Sequence, residues 1–239
     1  DGRSEGGALD QVVCLTADSR GHLWFATLDS GLDRFDLATE TFTNYRNDSA
    51  GQFVGWVRRV IEDKRGEIWF AGDGGLFHVN VETGQVTGPV PIITGLAVYD
   101  VYEDSHGDFW LLASSPVVGL VKYNRQTKRF TEYPLGAGAT LLDSSRFLAD
   151  GPDGFWVASS LGLSYFDRRT ERFARLFQHD RTQPDSLSDN NVVSIYRDRS
   201  GLLWVGTVNG GVNILDLRQR QFSHYAHRPE EPKSLSPGR

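Results

Sequence analysis

The chain has 239 residues, of which 39% are hydrophobic, and it carries a formal net charge of −6. Acidic and basic residues are interspersed without the basic stripe of a nucleic-acid-binding surface, so nucleic acid is not an expected partner. A single cysteine excludes an intramolecular disulfide and a Cys-rich metal cluster, and no apolar run in this region approaches the length of a membrane span.

One pattern recurs along the chain and predicts most of its structure. Each copy has an apolar strand, an Asp turn, a strand that begins with an apolar residue and Trp, a third strand that follows a Gly, and a short last strand. The turn aspartates and their tryptophans are, in chain order, Asp18 and Trp24, Asp63 and Trp69, Asp104 and Trp110, Asp150 and Trp156, and Asp198 and Trp204. The tryptophans recur every 41 to 48 residues, a period typical of a β-propeller or a similar array.

Four strands per copy make one propeller blade. The predicted blades span residues 9–45, 54–88, 97–133, 144–177 and 190–225, within a single domain over residues 1–239. No amphipathic helix of useful length is present, so the predicted fold class is all-β, a β-propeller of five four-stranded antiparallel blades. Two copies are irregular: Asp153 stands where a turn glycine is expected, and the last strand of the second copy is only Gln85-Val86-Thr87.

The segment after the fifth copy predicts a further blade. Residues 227–236 match residues 179–188 at the repeat offset of 48, and the earlier segment leads into a blade. We therefore expect residues 226–239 to lead into another blade of a larger propeller, with a closed five-bladed ring as the alternative. An arc of five blades leaves an apolar face bare on its first and last members, which predicts poor solubility, self-association or tightening into a strained ring.

The pattern Asp-x-x-Gly-x-(Leu/Ile/Phe)-Trp-(Val/Phe)-(Gly/Ala)-Thr, followed by Gly-(Leu/Val) and Phe-x-x-Tyr, resembles the two-component regulator propeller repeat. The copy nearest to that pattern runs from Ser186 to Tyr225. The resemblance implies a seven-bladed propeller in the periplasmic sensor half of a membrane-anchored histidine kinase, hybrid regulator or diguanylate cyclase, and some members of the family are implicated in sensing carbohydrates. The sialidase Asp-box has different spacing, and the Trp-Asp pair of WD repeats is absent.

The repeated residues are interpreted as structural. A residue that recurs once per blade at a fixed place solves a packing problem that recurs once per blade, so the five repeat tryptophans are expected to be buried between neighbouring blades. The turn aspartates are expected to accept hydrogen bonds from the amides of their own turns, without a metal role.

Positions that break the pattern are the candidates for ligand binding. Three residues before each turn aspartate lies an apolar column, interpreted as core: Leu15, Val60, Val101, Phe147 and Ile195. Four residues before it lies a mixed column: Cys14, Arg59, Asp100, Arg146 and Ser194. Seven residues before it lies another: Gln11, Trp56, Ala97, Asp143 and Asn191. The loop after the Trp strand is expected at the same rim and supplies Asp29, Ser30, Asp73, Ser115, Ser160 and Asn209.

From this rim we predict a site for a sugar or a small anion, with a hydrated rim that binds nothing as the alternative. The predicted ligand-binding residues are Trp56, Arg59, Asp100, Arg146, Asn191 and Asn209.

The sequence predicts a non-catalytic sensor module, with no catalytic residues, metal or cofactor in this region. The expected partners are the ligand, the remaining blades and a second copy of the parent protein, and the expected location is the periplasm. Two alternatives stay open. One is a propeller lyase or glycoside hydrolase that uses a carboxylate pair such as Asp100 and Asp143, and the other is a pure interaction scaffold.

Overall fold

The computed structural model describes residues 11–90, 96–114, 118–142, 145–218, 221–227, 229–231 and 233–236. The chain divides into two compact units, Asp1–Pro116 with Val121–Thr131 and Val117–Leu120 with Glu132–Arg239, hereafter the first and second units. The single domain expected over residues 1–239 therefore stays a prediction. Among the described residues, no helix has the length and apolar content needed to cross a membrane.

Within the described ranges, twenty strands form five four-stranded antiparallel sheets, each in simple sequential order, so the predicted all-β class and sheet count are confirmed. The first sheet contains β1 (Val12–Ala17), β2 (His22–Thr27), β3 (Leu32–Asp36) and β4 (Thr41–Tyr45). The second contains β5 (Val57–Glu62), β6 (Ile68–Gly72), β7 (Gly75–Asn80) and β8 (Gln85–Thr87). The third contains β9 (Ala97–Glu103), β10 (Phe109–Ser114), β11 (Gly119–Asn124) and β12 (Arg129–Pro134).

The remaining two sheets lie in the second unit. The fourth contains β13 (Phe147–Asp150), β14 (Gly154–Ser159), β15 (Gly162–Asp167) and β16 (Arg172–Phe177). The fifth contains β17 (Val192–Arg197), β18 (Leu203–Thr207), β19 (Val212–Asp216) and β20 (Gln221–Tyr225).

The turn between the first and second strands of a sheet is organised by its aspartate, as expected. Oδ1 of Asp18 accepts hydrogen bonds from the amides of Arg20 and His22 at 3.0 and 2.8 Å, and Oδ2 accepts one from Nε1 of Trp24 at 2.8 Å. The same Asp–Trp bond recurs at 3.1 Å for Asp63, 3.0 Å for Asp104 and 2.8 Å for Asp198. This bond explains why aspartate and tryptophan recur at a fixed spacing.

The fourth sheet departs from this arrangement. Nε1 of Trp156 is buried and has no hydrogen-bond partner among the described residues. Oδ1 of Asp150 instead lies 2.5 Å from Nη1 of Arg197. The residue with positive φ also differs in this turn. It is Gly151, at +58° and one position after the aspartate, whereas in the first sheet it is Gly21, at +89° and three positions after the aspartate. The irregular sequence around Asp153 therefore corresponds to an irregular turn.

Alternation along the strands gives each sheet two apolar faces. The face of the first sheet that carries Trp24 and Ala26 packs against the second sheet, on residues that include Val60 and Phe70. A second cluster joins Trp69 to the third sheet, and a third cluster joins Trp156 to the fifth. In these clusters the face of one sheet that carries the repeat tryptophan packs against another sheet, on the face that does not carry that sheet's own tryptophan, as predicted for packed blades.

Two expected core residues are exposed, and these expectations were wrong. Trp204 has 38% of its surface exposed although its neighbours Leu203 and Val205 are fully buried. Leu15 is 57% exposed, whereas its equivalents Val60 and Val101 are buried. Trp204 and Leu15 belong to the last and first sheets, and neither is a member of the described clusters of buried residues that join neighbouring sheets.

Candidate functional site

The first strands of four sheets carry a β-bulge at the same repeat position. The pairing register skips Val13 in β1, Arg58 in β5, Tyr99 in β9 and Val193 in β17, each five residues before its turn aspartate. A bulge bends the strand and redirects the side chain of the extra residue, and bulges are frequent next to binding sites. In the second and third sheets this position holds a large polar side chain.

The two polar bulge residues contact each other in the first unit. The guanidinium of Arg58 lies 4.6 Å from the ring centre of Tyr99 and 5.8 Å from that of Trp56. Arg58 is buried and forms an ion pair with Asp73, in the loop between β6 and β7. The amide of Asp73 donates to the carbonyl of Trp56 at 3.1 Å, which confirms that the start of the first strand lies beside the loop after the Trp strand.

A second polar row lies next to the first. Nε of Arg59 lies 3.1 Å from Oδ1 of Asp100, and Nη1 of Arg59 lies 3.7 Å from Sγ of Cys14. Burial lowers the pKa of Arg59, but the Asp100 carboxylate and Cys14 together outweigh burial and hold that pKa above its ordinary value. These residues occupy the same repeat position in three consecutive sheets, so the mixed column of the sequence is a continuous polar row here.

We call these residues the Trp56 cluster: Trp56, Arg58, Arg59, Asp73, Tyr99 and Asp100. Its buried members are Arg58, which is ion-paired with Asp73, and Asp100, which is ion-paired with Arg59. Trp56 is 42% exposed, and the side chains of Asp73 and Arg59 are exposed by 44% and 39%. An exposed indole face beside an arginine and a carboxylate can stack on a ligand ring and bind its polar groups. Of the carboxylate pair named for an enzyme, Asp100 forms an ion pair with Arg59, and Asp143 lies outside the described residues.

The other predicted site residues belong to the second unit. Asn191 and Asn209 both bind the carboxylate of Asp189. The backbone amide of Asn191 donates to it at 3.2 Å and the backbone amide of Asn209 at 3.0 Å. Burial raises the pKa of Asp189, but the hydrogen bonds from the backbones and side chains of both asparagines together outweigh burial and place the pKa below its ordinary value. Arg146 is partly buried, and its Nη1 donates to the carbonyl of Ser145 at 2.9 Å. Ser115 lies outside the described residues.

Arg58 and Tyr99 were missed by the sequence analysis. Strand alternation places the residue five before the turn aspartate on the same face as the apolar column, which drew no attention to it. The available signal was the column itself, which reads Val13, Arg58, Tyr99, Ser145 and Val193. Two large polar residues at a position that is apolar in two other copies are typical of a side chain released from packing. In the part of the chain that the structure describes, no three His, Cys, Asp or Glu residues are grouped to hold a metal ion.

Comparison with known sequences agrees with the repeat pattern. Residues 6–29 and 186–209 match the two-component regulator propeller. The second match falls within the copy that the sequence analysis placed nearest to that repeat. Among curated proteins, no sequence match is significant.

Solved structures of similar fold include two extracellular domains from B. thetaiotaomicron. That of BT3049, assigned as a hybrid two-component system, has a TM-score of 0.74 and 20% identity, covering 99% of this chain and 31% of that chain. That of BT4673, assigned as a one-component system, has a TM-score of 0.72 and 19% identity, covering 93% and 28%.

A third similar structure is PorZ, a surface component of the type-IX secretion system of Porphyromonas gingivalis, with a TM-score of 0.67 and 17% identity over 92% of this chain and 35% of that one. The chain thus spans about a third of the length of these proteins. At such identities the likeness shows a shared fold, the propeller found in extracellular domains of two-component systems. The chain therefore shares its fold with these domains, and two of its five repeats match the two-component regulator propeller.

Proposed function

We propose that this chain is part of a non-catalytic sensor propeller of a bacterial transmembrane signalling protein, and that it binds a small ligand at its polar rim. The observation that carries the proposal is the Trp56 cluster. Its indole is 42% exposed beside Arg58, although no other copy of the repeat has an aromatic residue at that position. A ligand with a flat apolar face and polar or anionic groups, such as a sugar or a sugar acid, fits this combination.

The proposal extends to the parent protein. The sensor would lie in the periplasm and would be followed by a membrane span and a histidine kinase or diguanylate cyclase domain that works as a dimer. The support is the propeller fold shared with extracellular domains of two-component systems, together with the repeat match. Ligand binding would be saturable, without turnover, and would change the activity of the output domain.

The test is a calorimetric screen of the intact parent sensor domain against neutral sugars, sugar acids and small anions. We expect Trp56→Ala and Arg59→Ala to weaken binding of any hit at least about tenfold, because each removes a stacking or charge-assisted contact. Arg146→Ala tests the predicted rim residue of the second unit in the same way. Phe53→Ala is the matched control, since Phe53 is an exposed aromatic residue outside the cluster.

The outcomes separate the candidate functions. Wild-type binding by both Trp56→Ala and Arg59→Ala would remove the Trp56 cluster as the site. Conversion of a ligand into product would contradict the sensor function and show that the domain is an enzyme. Output activity that depends on dimerisation but on none of the ligands would favour an interaction scaffold.

A further inference from the structure

The second sheet has no aromatic side chain at the position that covers the repeat tryptophan in two other sheets, and the guanidinium of Arg125 lies 5.1 Å from the ring centre of Trp69. In the first sheet the ring of Tyr45 lies 5.5 Å from that of Trp24, and in the fourth the ring of Phe177 lies 6.0 Å from that of Trp156. Trp24 pairs with Arg34, Arg34 pairs with Thr43, and Tyr45 follows Thr43 by two positions. In the same way Trp156 pairs with Tyr165, Tyr165 pairs with Arg175, and Phe177 follows Arg175 by two positions. The equivalent position in the second sheet is Pro89, two positions after Thr87.

Proline cannot donate a ladder hydrogen bond, and β8 accordingly ends at Thr87 after three residues. A cavity of about 700 Å³ lies in the space beside it, entirely within the first unit. Its aromatic walls are Trp69, His78 and Tyr123, with Pro89 and Val90 adding apolar surface. The ring centres of Trp69 and His78 are 4.8 Å apart, and Tyr123 is held by stacking on Phe130 at 4.5 Å. The volume lies within the range typical of small-molecule sites.

The charges of the cavity fall into two groups. Arg125 is neutralised by carboxylates, at 2.8 Å from Asp63, 3.1 Å from Glu67 and 3.4 Å from Glu103. Arg65 and Lys128 also line the cavity, and neither has a carboxylate partner among the described residues. The cavity therefore combines aromatic walls with two exposed basic side chains that form no ion pair among the described residues.

We propose that this cavity is a binding site for a small aromatic carboxylate. Its ring would pack against Trp69 and His78, and its carboxylate would be held by Arg65 and Lys128. A cationic ligand would form no ion pair with Arg65 or Lys128, and a neutral ring would use only the aromatic walls. A carboxylate would pair with the two basic side chains, and its ring would fill the space beside Pro89.

This site is separate from the Trp56 cluster. Trp56 precedes β5, whereas Arg65 lies in the turn that follows β5, so the strand separates them by about 20 Å at roughly 3.3 Å per residue. Binding here is independent of the proposed sensor function, and substitutions at one site are expected to leave the other unchanged.

The experiment uses three probes in calorimetry with the intact chain: indole-3-acetate, its uncharged amide indole-3-acetamide, and acetate. We expect saturable binding of indole-3-acetate, at least about tenfold weaker binding of the amide, and no measurable binding of acetate, because only the first probe uses both ring and charge. Arg65→Ala and Lys128→Ala should each weaken binding of indole-3-acetate several-fold and reduce the preference for it over the amide. Both side chains are exposed, so the fold should be retained.

Arg20→Ala is the matched control, because Arg20 occupies the same turn position in the first sheet and does not line this cavity. Trp56→Ala is a second control and should leave binding of the three probes unchanged. The proposal is overturned by equal affinity for the acid and the amide, by loss of affinity in Arg20→Ala as large as in Arg65→Ala, or by no binding of indole-3-acetate at millimolar concentration.

Discussion

Trp24 and Trp204 occupy the same place in the repeat, yet their surroundings differ. Each donates an Nε1 hydrogen bond of 2.8 Å to its turn aspartate. Trp24 is fully buried against the second sheet, while Trp204 is 38% exposed. The comparison shows that the hydrogen bond is a local property of the turn, whereas burial depends on a neighbouring sheet.

Trp156 completes the comparison in the opposite sense. It is buried, at 2% exposure, in a cluster that includes Leu203 and Val205, yet its Nε1 has no hydrogen-bond partner in the part of the chain that the structure describes. Its turn aspartate, Asp150, is used by Arg197 instead. Burial and the Asp–Trp bond are therefore separable contributions, and substitutions can measure each of them.

The largest expected effect is the difference between Trp24→Ala and Trp204→Ala. Emptying the buried Trp24 site should lower the free energy of unfolding by about 3–5 kcal/mol, the usual range for such a cavity. Trp204→Ala should cost about 1 kcal/mol, because much of its ring already contacts water. Urea unfolding of both variants checks this, and equal losses would mean that Trp204 is covered in solution.

The exposed faces should drive self-association, as predicted for a bare arc of blades. Leu15→Glu and Trp204→Glu each place a charge on one of these faces and should weaken association by about 1.5–3 kcal/mol, the value of burying one large apolar side chain. Sedimentation velocity over a concentration series measures this. Leu176→Glu is the control, since Leu176 is exposed on the fourth sheet. A wild-type chain that stays monomeric throughout the series would contradict the prediction.

The Asp–Trp bond should contribute less than tryptophan burial. Asp18→Ala leaves the buried Nε1 of Trp24 and the amides of Arg20 and His22 without their acceptor, which should cost about 1–2 kcal/mol. Asp150→Ala should cost about 1 kcal/mol or less, because it removes a partly exposed ion pair and no tryptophan bond. Chemical unfolding of the two variants compares them, and a larger loss for Asp150→Ala would contradict the separation.

The smallest expected effect is on titration. Hydrogen bonds from the Ser200 hydroxyl and then from Trp204 lower the pKa of Asp198 from 3.8 to about 2. Because the pKa of the folded state is depressed, the stabilisation is present above pH 3.8 and is lost as the pH falls towards 2. Carboxyl NMR titration should show this low pKa, and Ser200→Ala should raise it towards 3.8. An unchanged pKa in Ser200→Ala would exclude the hydroxyl as the main cause.

The repeat alone was sufficient to predict the fold class, the five sheets and the role of the turn aspartates. The turn aspartates bind residues less than ten positions away, as Asp18 binds Arg20, His22 and Trp24, and each sheet is formed by consecutive strands, so the pattern within one copy carries both features. The polar row of Arg59 and Asp100 was also predictable, because residues at one repeat position of consecutive blades lie side by side.

Other features depended on contacts between sheets, or on breaks in strand alternation, that no single copy of the repeat reveals. The exposure of Trp204 and Leu15 is decided by whether another sheet lies against them. The contact of Arg58 with Tyr99 depends on bulges that displace both residues from the period of two, and the cavity beside Trp69 depends on a last strand that ends at Thr87. Hydrogen bonding within a turn is set by neighbours along the chain, whereas burial and cavity shape are set by surfaces that meet only after folding.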